Sequence, residues 1–128
     1  MPLKVLVVDD ERDVEMLFRQ RFRREIRKGE VELIFSFSGE EALETLHQIG
    51  RTDVVLVLSD INMPGMTGLD LLCRIKSEPP PVPVCMMTAY GNDNYRQRAQ
   101  DCNCDGYLTK PIDFNDLKAR IRAQATEG

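Results

Sequence analysis

The sequence predicts a doubly wound α/β fold built on a parallel sheet. Two observations carry that prediction. Five short apolar runs alternate with helical patterns along the chain, joined by short connections that suit right-handed crossovers. The third and fourth runs are continuously apolar rather than alternating, as central strands covered on both faces must be. At 128 residues the chain has the size of one domain. The expectation is a single domain over 1–128, standing alone or forming the N-terminal part of a longer protein.

The first strand pattern runs from Leu3 to Val8. Val14, Leu17, Phe18, Phe22 and Ile26 then recur at spacings of three and four, which makes one apolar helical stripe. Arg19, Arg23, Arg24 and Arg27 lie on the far face, towards the end where positive charge is favoured, and read as a solvated face. The second strand pattern is Val31 to Phe37. Ser38 and Glu41 then form a capping-box signature for a helix carrying Ala42, Leu43, Leu46 and Ile49. His47, the single histidine, reads as an exposed helix residue rather than a relay histidine.

The third strand pattern is Val54 to Leu58. Thr67 and Asp70 open the next helix, with Leu71, Leu72 and Ile75 inward. Pro79, Pro80, Pro81 and Pro83 read as a stiff connection into the fourth strand, Val82 to Met87, rather than a docking segment. Asp93 begins a fourth helix near Tyr95 to Asp101, whose few apolar residues predict the most exposed or most mobile helix. The last strand is Gly106 to Thr109. Asp113 caps a final helix with Phe114, Leu117 and Ile121 facing inward.

Composition excludes several classes. Hydrophobic residues make up 42% and charged residues 30%, enough for a packed core and a solvated surface. The net charge of −4 argues against direct nucleic-acid binding. No apolar run approaches the roughly 20 residues of a membrane span, and Met1-Pro2-Leu3-Lys4 has no signal-peptide layout. Four cysteines at irregular spacing do not resemble a disulfide framework, which points to a reducing cytoplasm.

Sheets of this class place their sites at the carboxyl ends of the strands. There the sequence puts Asp9-Asp10-Glu11 after strand one, Asp60 after strand three, Thr88 at strand four and Lys110 after strand five. Any one of these alone reads as a turn former, a helix cap or a surface lysine. Their convergence on one edge is what carries chemistry. Gathered carboxylates repel unless a cation joins them, and oxygen-only ligands suit Mg²⁺ or Mn²⁺. Phosphoryl transfer needs mainly positioning and charge stabilisation. A metal and Lys110 can neutralise the transferred oxygens, Thr88 can hydrogen-bond another, and Asp60 is the natural nucleophile.

These residues bring out a resemblance over Leu3 to Ala123. The chain resembles the receiver domain of bacterial two-component response regulators. Val7-Val8-Asp9-Asp10-Glu11 looks like the acidic pair, and Ser59 to Gly68 like the phosphoacceptor loop. Met87-Thr88-Ala89 resembles the switch threonine, and Tyr107-Leu108-Thr109-Lys110-Pro111 the switch aromatic, lysine and proline. The resemblance implies a (βα)5 flavodoxin-like fold with strand order 2-1-3-4-5. It implies phosphorylation of Asp60 by a sensor histidine kinase or histidine phosphotransfer protein. It also implies Mg²⁺ on Asp10, Asp60 and the Asn62 carbonyl, with Asp9 acting through water. Lys110 would contact the phosphoryl group and its bond to Pro111 would be cis, an uncommon isomer. Thr88 would move towards the phosphoryl group and Tyr107 would rotate inward, biasing the surface of the fourth helix, fifth strand and fifth helix. Asn62 and Tyr90 would flank the path of the attacking water, with Tyr90 shielding the acyl phosphate.

The chain departs from the family pattern at Cys102 to Gly106. Asn103 stands where glycine is usual, and Asn is the next best residue for a left-handed cap; Cys104 fills a small slot. Cys102 and Cys104 as a metal or redox pair is the rival reading, with too few ligands for structural zinc. Cys73 and Cys85 read as packing residues. The expected function is a signalling module that catalyses only its own phosphorylation and dephosphorylation, with its output partner or fused output domain unassigned. One alternative is a phosphorylation-independent adaptor of the same fold. Another is an aspartyl-nucleophile phosphatase of the haloacid-dehalogenase type, which needs a carboxylate where Asn62 stands.

Overall fold

The computed structural model describes residues 2–89 and 95–127. The expectations for Tyr90 and Asp93 fall outside the described residues. Five strands form one parallel sheet: β1 (Leu3–Val8), β2 (Val31–Ser36), β3 (Val54–Asp60), β4 (Val84–Thr88) and β5 (Gly106–Thr109). Their order is β2-β1-β3-β4-β5, with β1 between β2 and β3. The described helices are α1 (Asp13–Arg21), α2 (Arg23–Arg27), α3 (Gly39–Ile49), α4 (Gly68–Lys76), α5 (Arg96–Asp101) and α6 (Phe114–Glu127). The first helical pattern is divided at Phe22, so the fourth and fifth predicted helices are α5 and α6. Among the described residues, no helix is long and apolar enough to cross a membrane.

The continuous apolar runs are explained by two cores, one on each face of the sheet. Leu6, Val8, Val57, Val84 and Met86 point to one face, where Leu46 of α3 and Leu71, Leu72 and Ile75 of α4 close over them. Val5, Val7, Leu56, Leu58, Cys85 and Met87 point to the other, under Phe18, Phe22, Leu117 and Ile121. Alternation along the central strands thus feeds both layers, while the edge strands β2 and β5 keep Glu32 and Thr109 exposed. The Phe18, Phe22 and Phe114 rings pack together, with Phe114 edge-on to Phe18 at 5.1 Å between centroids.

The predicted caps form with differences. Thr67 and Asp70 make a complete capping box at α4. Ser38 accepts from the Glu41 amide, but the Glu41 carboxylate reaches back to the Phe37 amide instead of that of Ser38. Asp113 accepts from the Asn115 and Asp116 amides and opens α6. Asn103 sits at φ 65°, the left-handed conformation expected of it. The proline segment is held by Arg51, whose guanidinium donates to the carbonyls of Ile75, Glu78 and Pro80.

Two expectations need correction, and one buried charge was not anticipated. Leu17 is 41% exposed beside Met16 at 75%, so the α1 stripe is narrower than its spacing suggests. Glu25, unremarked in the sequence, is buried in α2 and paired with Lys118 of α6 at 3.1 Å. Cys73 is not merely a packing residue: it forms a disulfide with Cys102, which removes the rival pairing of Cys102 with Cys104. The cysteines therefore no longer argue for a reducing compartment. Cys85 and Cys104 carry free thiols, and Cys104 donates to the Gly106 carbonyl.

Candidate functional site

β1, β3 and β5 end on the same edge, and each delivers a charged side chain there. The Asp9 amide donates to the Ser36 carbonyl and so continues the β1–β2 pairing one residue past the strand. Asp9 is 3% exposed. One of its oxygens accepts from the Glu11 amide at 3.0 Å and the other from the Lys110 ammonium at 3.3 Å. Asp10, next in the chain, is exposed. Asp60 closes β3 beside Met87 of β4. Its Oδ1 accepts from the Ile61 amide and lies 3.3 Å from Lys110 Nζ. Lys110 is fixed by its own amide, which donates to the Thr88 carbonyl. The Lys110–Pro111 bond is cis, as the resemblance implies.

Asp9, Asp10 and Asp60 each offer a carboxylate oxygen within 4.8 Å of the others. Three carboxylates face one ammonium, so two negative charges stay unbalanced when all are ionised. Burial pushes the Asp60 carboxyl above its usual range; Lys110 opposes that shift and Asp9 adds to it. Burial would lower the Lys110 ammonium, but Asp60 and Asp9 hold it above the ordinary lysine range. Lys110 therefore stays charged between its two partners. A donor set of oxygens alone, with surplus negative charge and one exposed member, fits a hard divalent cation such as Mg²⁺.

The remaining candidates surround this cluster at different degrees of engagement. Asn62 is exposed two residues beyond Asp60, and its side-chain oxygen accepts from the Tyr95 hydroxyl at 3.2 Å. Thr88 is buried, and its hydroxyl donates to the Ala89 carbonyl. Tyr107 is half-buried; its hydroxyl donates to the Arg96 carbonyl at 2.9 Å and its ring lies under the Arg96 guanidinium. The structure thus brings Asp9, Asp10, Asp60 and Lys110 together directly, whereas Thr88 and Tyr107 are engaged elsewhere. Beside Lys110, a groove opens between α1 and the start of α6, lined by Val14, Leu17, Ile112 and Phe114.

Sequence reasoning missed Gly68. The Asp60–Gly68 loop folds back so that the Gly68 amide donates to the Ile61 carbonyl at 2.7 Å. A β-carbon on Gly68 would meet the Asp60 carbonyl oxygen at 1.9 Å. The glycine was visible in the loop motif, but only the return of the chain reveals what it touches. Gly65, at φ 73°, supplies the left-handed turn of the same loop.

Comparison with known proteins agrees with this geometry. Residues 5–122 match the family model of the response regulator receiver domain. The chain is 32% identical to the response regulator MprA of Mycolicibacterium vanbaalenii over 123 residues, covering 96% of this chain and 50% of that protein. It is 33% identical to the transcriptional regulatory protein CpxR of Escherichia coli over 120 residues, 94% of this chain and 48% of that one. The chain thus spans about half the length of the curated relatives it matches. A receiver domain protein from Clostridium thermocellum superposes with a TM-score of 0.85 at 25% identity, over 98% of this chain and 95% of that chain. The Vibrio cholerae chemotaxis protein CheY4 superposes with a TM-score of 0.78 at 25% identity, over 96% of this chain and 98% of that chain.

Proposed function

The chain belongs to the response regulator receiver family, and from that premise we propose that Asp60 accepts a phosphoryl group from a sensor histidine kinase or a histidine phosphotransfer protein. One observation carries the reading. The Asp60 carboxylate is flanked at once by two further carboxylates within 4.8 Å and by an ammonium at 3.3 Å. A nucleophile so placed has a carboxylate cluster that fits a cation and a fixed positive charge beside it, as phosphoryl transfer requires.

In the transfer, an Asp60 carboxylate oxygen attacks phosphorus, the bond from phosphorus to the donor imidazole breaks, and the imidazole leaves. Asp10, Asp60 and the Asn62 carbonyl would hold Mg²⁺, for which Mn²⁺ could substitute, with Asp9 acting through water; an ion bound there would supply charge neutralisation for the transferred oxygens. Lys110 neutralises another oxygen and gives up part of its hold on Asp60. Thr88 leaves the Ala89 carbonyl to donate to the phosphoryl group. Tyr107 leaves the Arg96 carbonyl and turns inward, which changes the face made by α5, β5 and α6. Asn62 flanks the water that ends the signal. The donor docks over exposed Leu17 and the groove beside Lys110.

The protein is a signalling module of the cytoplasm that acts on itself, without direct nucleic-acid or membrane contact. Its output is a partner or a further domain. A phosphomonoesterase ranks below this reading, because Asn62 supplies an amide where a general acid is needed. The test is incubation with Mg²⁺ and acetyl phosphate followed by intact mass. The expected result is a gain of one phosphoryl group that EDTA and Asp60→Asn both abolish. A gain that survives Asp60→Asn contradicts the proposal.

A further inference from the structure

Away from the acidic cluster, a covalent bond joins two elements that flank the site. Cys73 lies on α4 and Cys102 closes α5, 29 residues later. Their Cα atoms are 5.2 Å apart, within the span a disulfide bridges. α5 is six residues long and buries only Ala99. A helix with so little buried surface keeps its place through its side-chain ties.

Those ties lead to the site. At the N-terminal end, the Tyr95 hydroxyl donates to Asn62, and the Arg96 carbonyl accepts from Tyr107. At mid-helix, Arg98 pairs with Asp70 of α4 at 2.8 Å, where both side chains are exposed. At the C-terminal end stands the disulfide. The polar ties exchange readily with water, whereas the disulfide yields only to thiol chemistry.

We propose that Cys73 and Cys102 form a thiol–disulfide modification site whose oxidised form restrains α5 and opposes the change driven by phosphorylation of Asp60. This rests on the receiver reading above.

The chemistry is exchange with a small thiol. An open groove beside the bond is lined by Asp70, Cys73, Arg74 and Arg98, which places Cys73 at the surface beside Arg74, while Arg98 is paired with Asp70. A thiolate attacks the Cys73 sulfur, the S–S bond breaks, and the Cys102 sulfur leaves and takes a proton. A second thiol resolves the mixed disulfide and frees Cys73. Two thiols are oxidised to one small disulfide as the protein bridge is reduced; a small disulfide run through the same steps restores the bridge. The other cysteines stay out of the exchange. Burial pushes the Cys85 thiol up to about 11 and raises that of Cys104, so neither forms a reactive thiolate at neutral pH.

Linkage fixes a consequence. If the bridge opposes the phosphorylated arrangement, phosphorylation must favour the dithiol by the same factor. The test equilibrates the full chain, with Mg²⁺, in buffers of reduced and oxidised glutathione, with and without phosphoramidate as donor. Quenching by alkylation and intact mass then reads thiol count and phosphoryl count on the same molecules. The expected result is a bridge mapping to Cys73 and Cys102, with a dithiol-to-disulfide ratio roughly threefold or more higher in phosphorylated molecules. Four alkylated cysteines across all buffers overturn the proposal. An equal ratio in phosphorylated and unphosphorylated molecules overturns the coupling alone. No phosphoryl gain at all removes the acceptor reading and the coupling with it.

Discussion

Gly68 lies against the backbone carbonyl of Asp60 so closely that a single added β-carbon would stand 1.9 Å from the carbonyl oxygen. The first residue of α4 therefore braces the acceptor from behind. Gly68→Ala forces this loop apart. The expected cost is about 1–3 kcal/mol, as for other overpacked sites, together with at least a roughly tenfold slower phosphorylation, since small displacements of reacting groups are expensive. Thermal unfolding and the rate of mass gain with acetyl phosphate check both. Phosphorylation at the parent rate would show that the bracing does not position Asp60.

Asp60→Asn should stabilise the metal-free protein. The folded state holds the Asp60 carboxyl above its unfolded value, because burial and Asp9 outweigh Lys110. A raised acid is a burden above its folded pKa, where it must ionise in place, and that burden vanishes below the unfolded value of about 3.9. The variant should thus melt a few degrees above the parent at neutral pH, and the gap should close as pH falls towards the carboxylate range. Added Mg²⁺ should raise the parent's Tm and leave the variant's nearly unchanged.

The Glu25–Lys118 pair sets a different pH dependence. Burial pushes the Glu25 carboxyl up, but the Lys118 hydrogen bond and charge, with Arg122, bring it below its usual range. A depressed acid contributes stability above its unfolded pKa and loses it as pH falls through the folded one. Lys118→Met should cost more than the roughly 1 kcal/mol of an exposed pair and less than the roughly 3–5 of a fully buried one. The difference from the parent should shrink below about pH 4. Denaturant unfolding across pH reads this directly.

Thr88→Ala separates chemistry from switching. The Thr88 hydroxyl is bonded to the Ala89 carbonyl, and Asp60 is paired with Lys110, so acylation does not need the hydroxyl in place. The variant should still gain a phosphoryl group, while the Tyr107 ring resonances change less on phosphorylation than in the parent. A Tyr107 response equal to that of the parent would remove Thr88 from the coupling.

Much of this was legible in the residues. The central strands announced themselves because burial on both faces leaves no room for polar positions, as Leu56 to Leu58 show. Asp9, Asp60 and Lys110 were findable because each ends a strand, and a parallel sheet gathers strand ends. The rest depended on where the chain returns. Leu17 fitted the helical period yet lies past the edge of the core. Glu25 looked like one more charge among arginines until α6 brought Lys118 over it. Cys73 and Cys102 have no spacing that marks a pair; packing α5 beside α4 brings them together. Gly68 and Arg51 act through backbone carbonyls, which have no sequence signature.

The central claim is that the acceptor atom belongs to Asp60, and borohydride trapping tests it most directly. An aspartyl phosphate is reduced to homoserine, so peptide sequencing by mass locates the acceptor without substitution. After Mg²⁺ and acetyl phosphate, homoserine should stand at position 60 and nowhere else, and it should be absent when EDTA is present from the start. A protein whose intact mass has gained a phosphoryl group but whose position 60 remains aspartate after reduction would contradict the account.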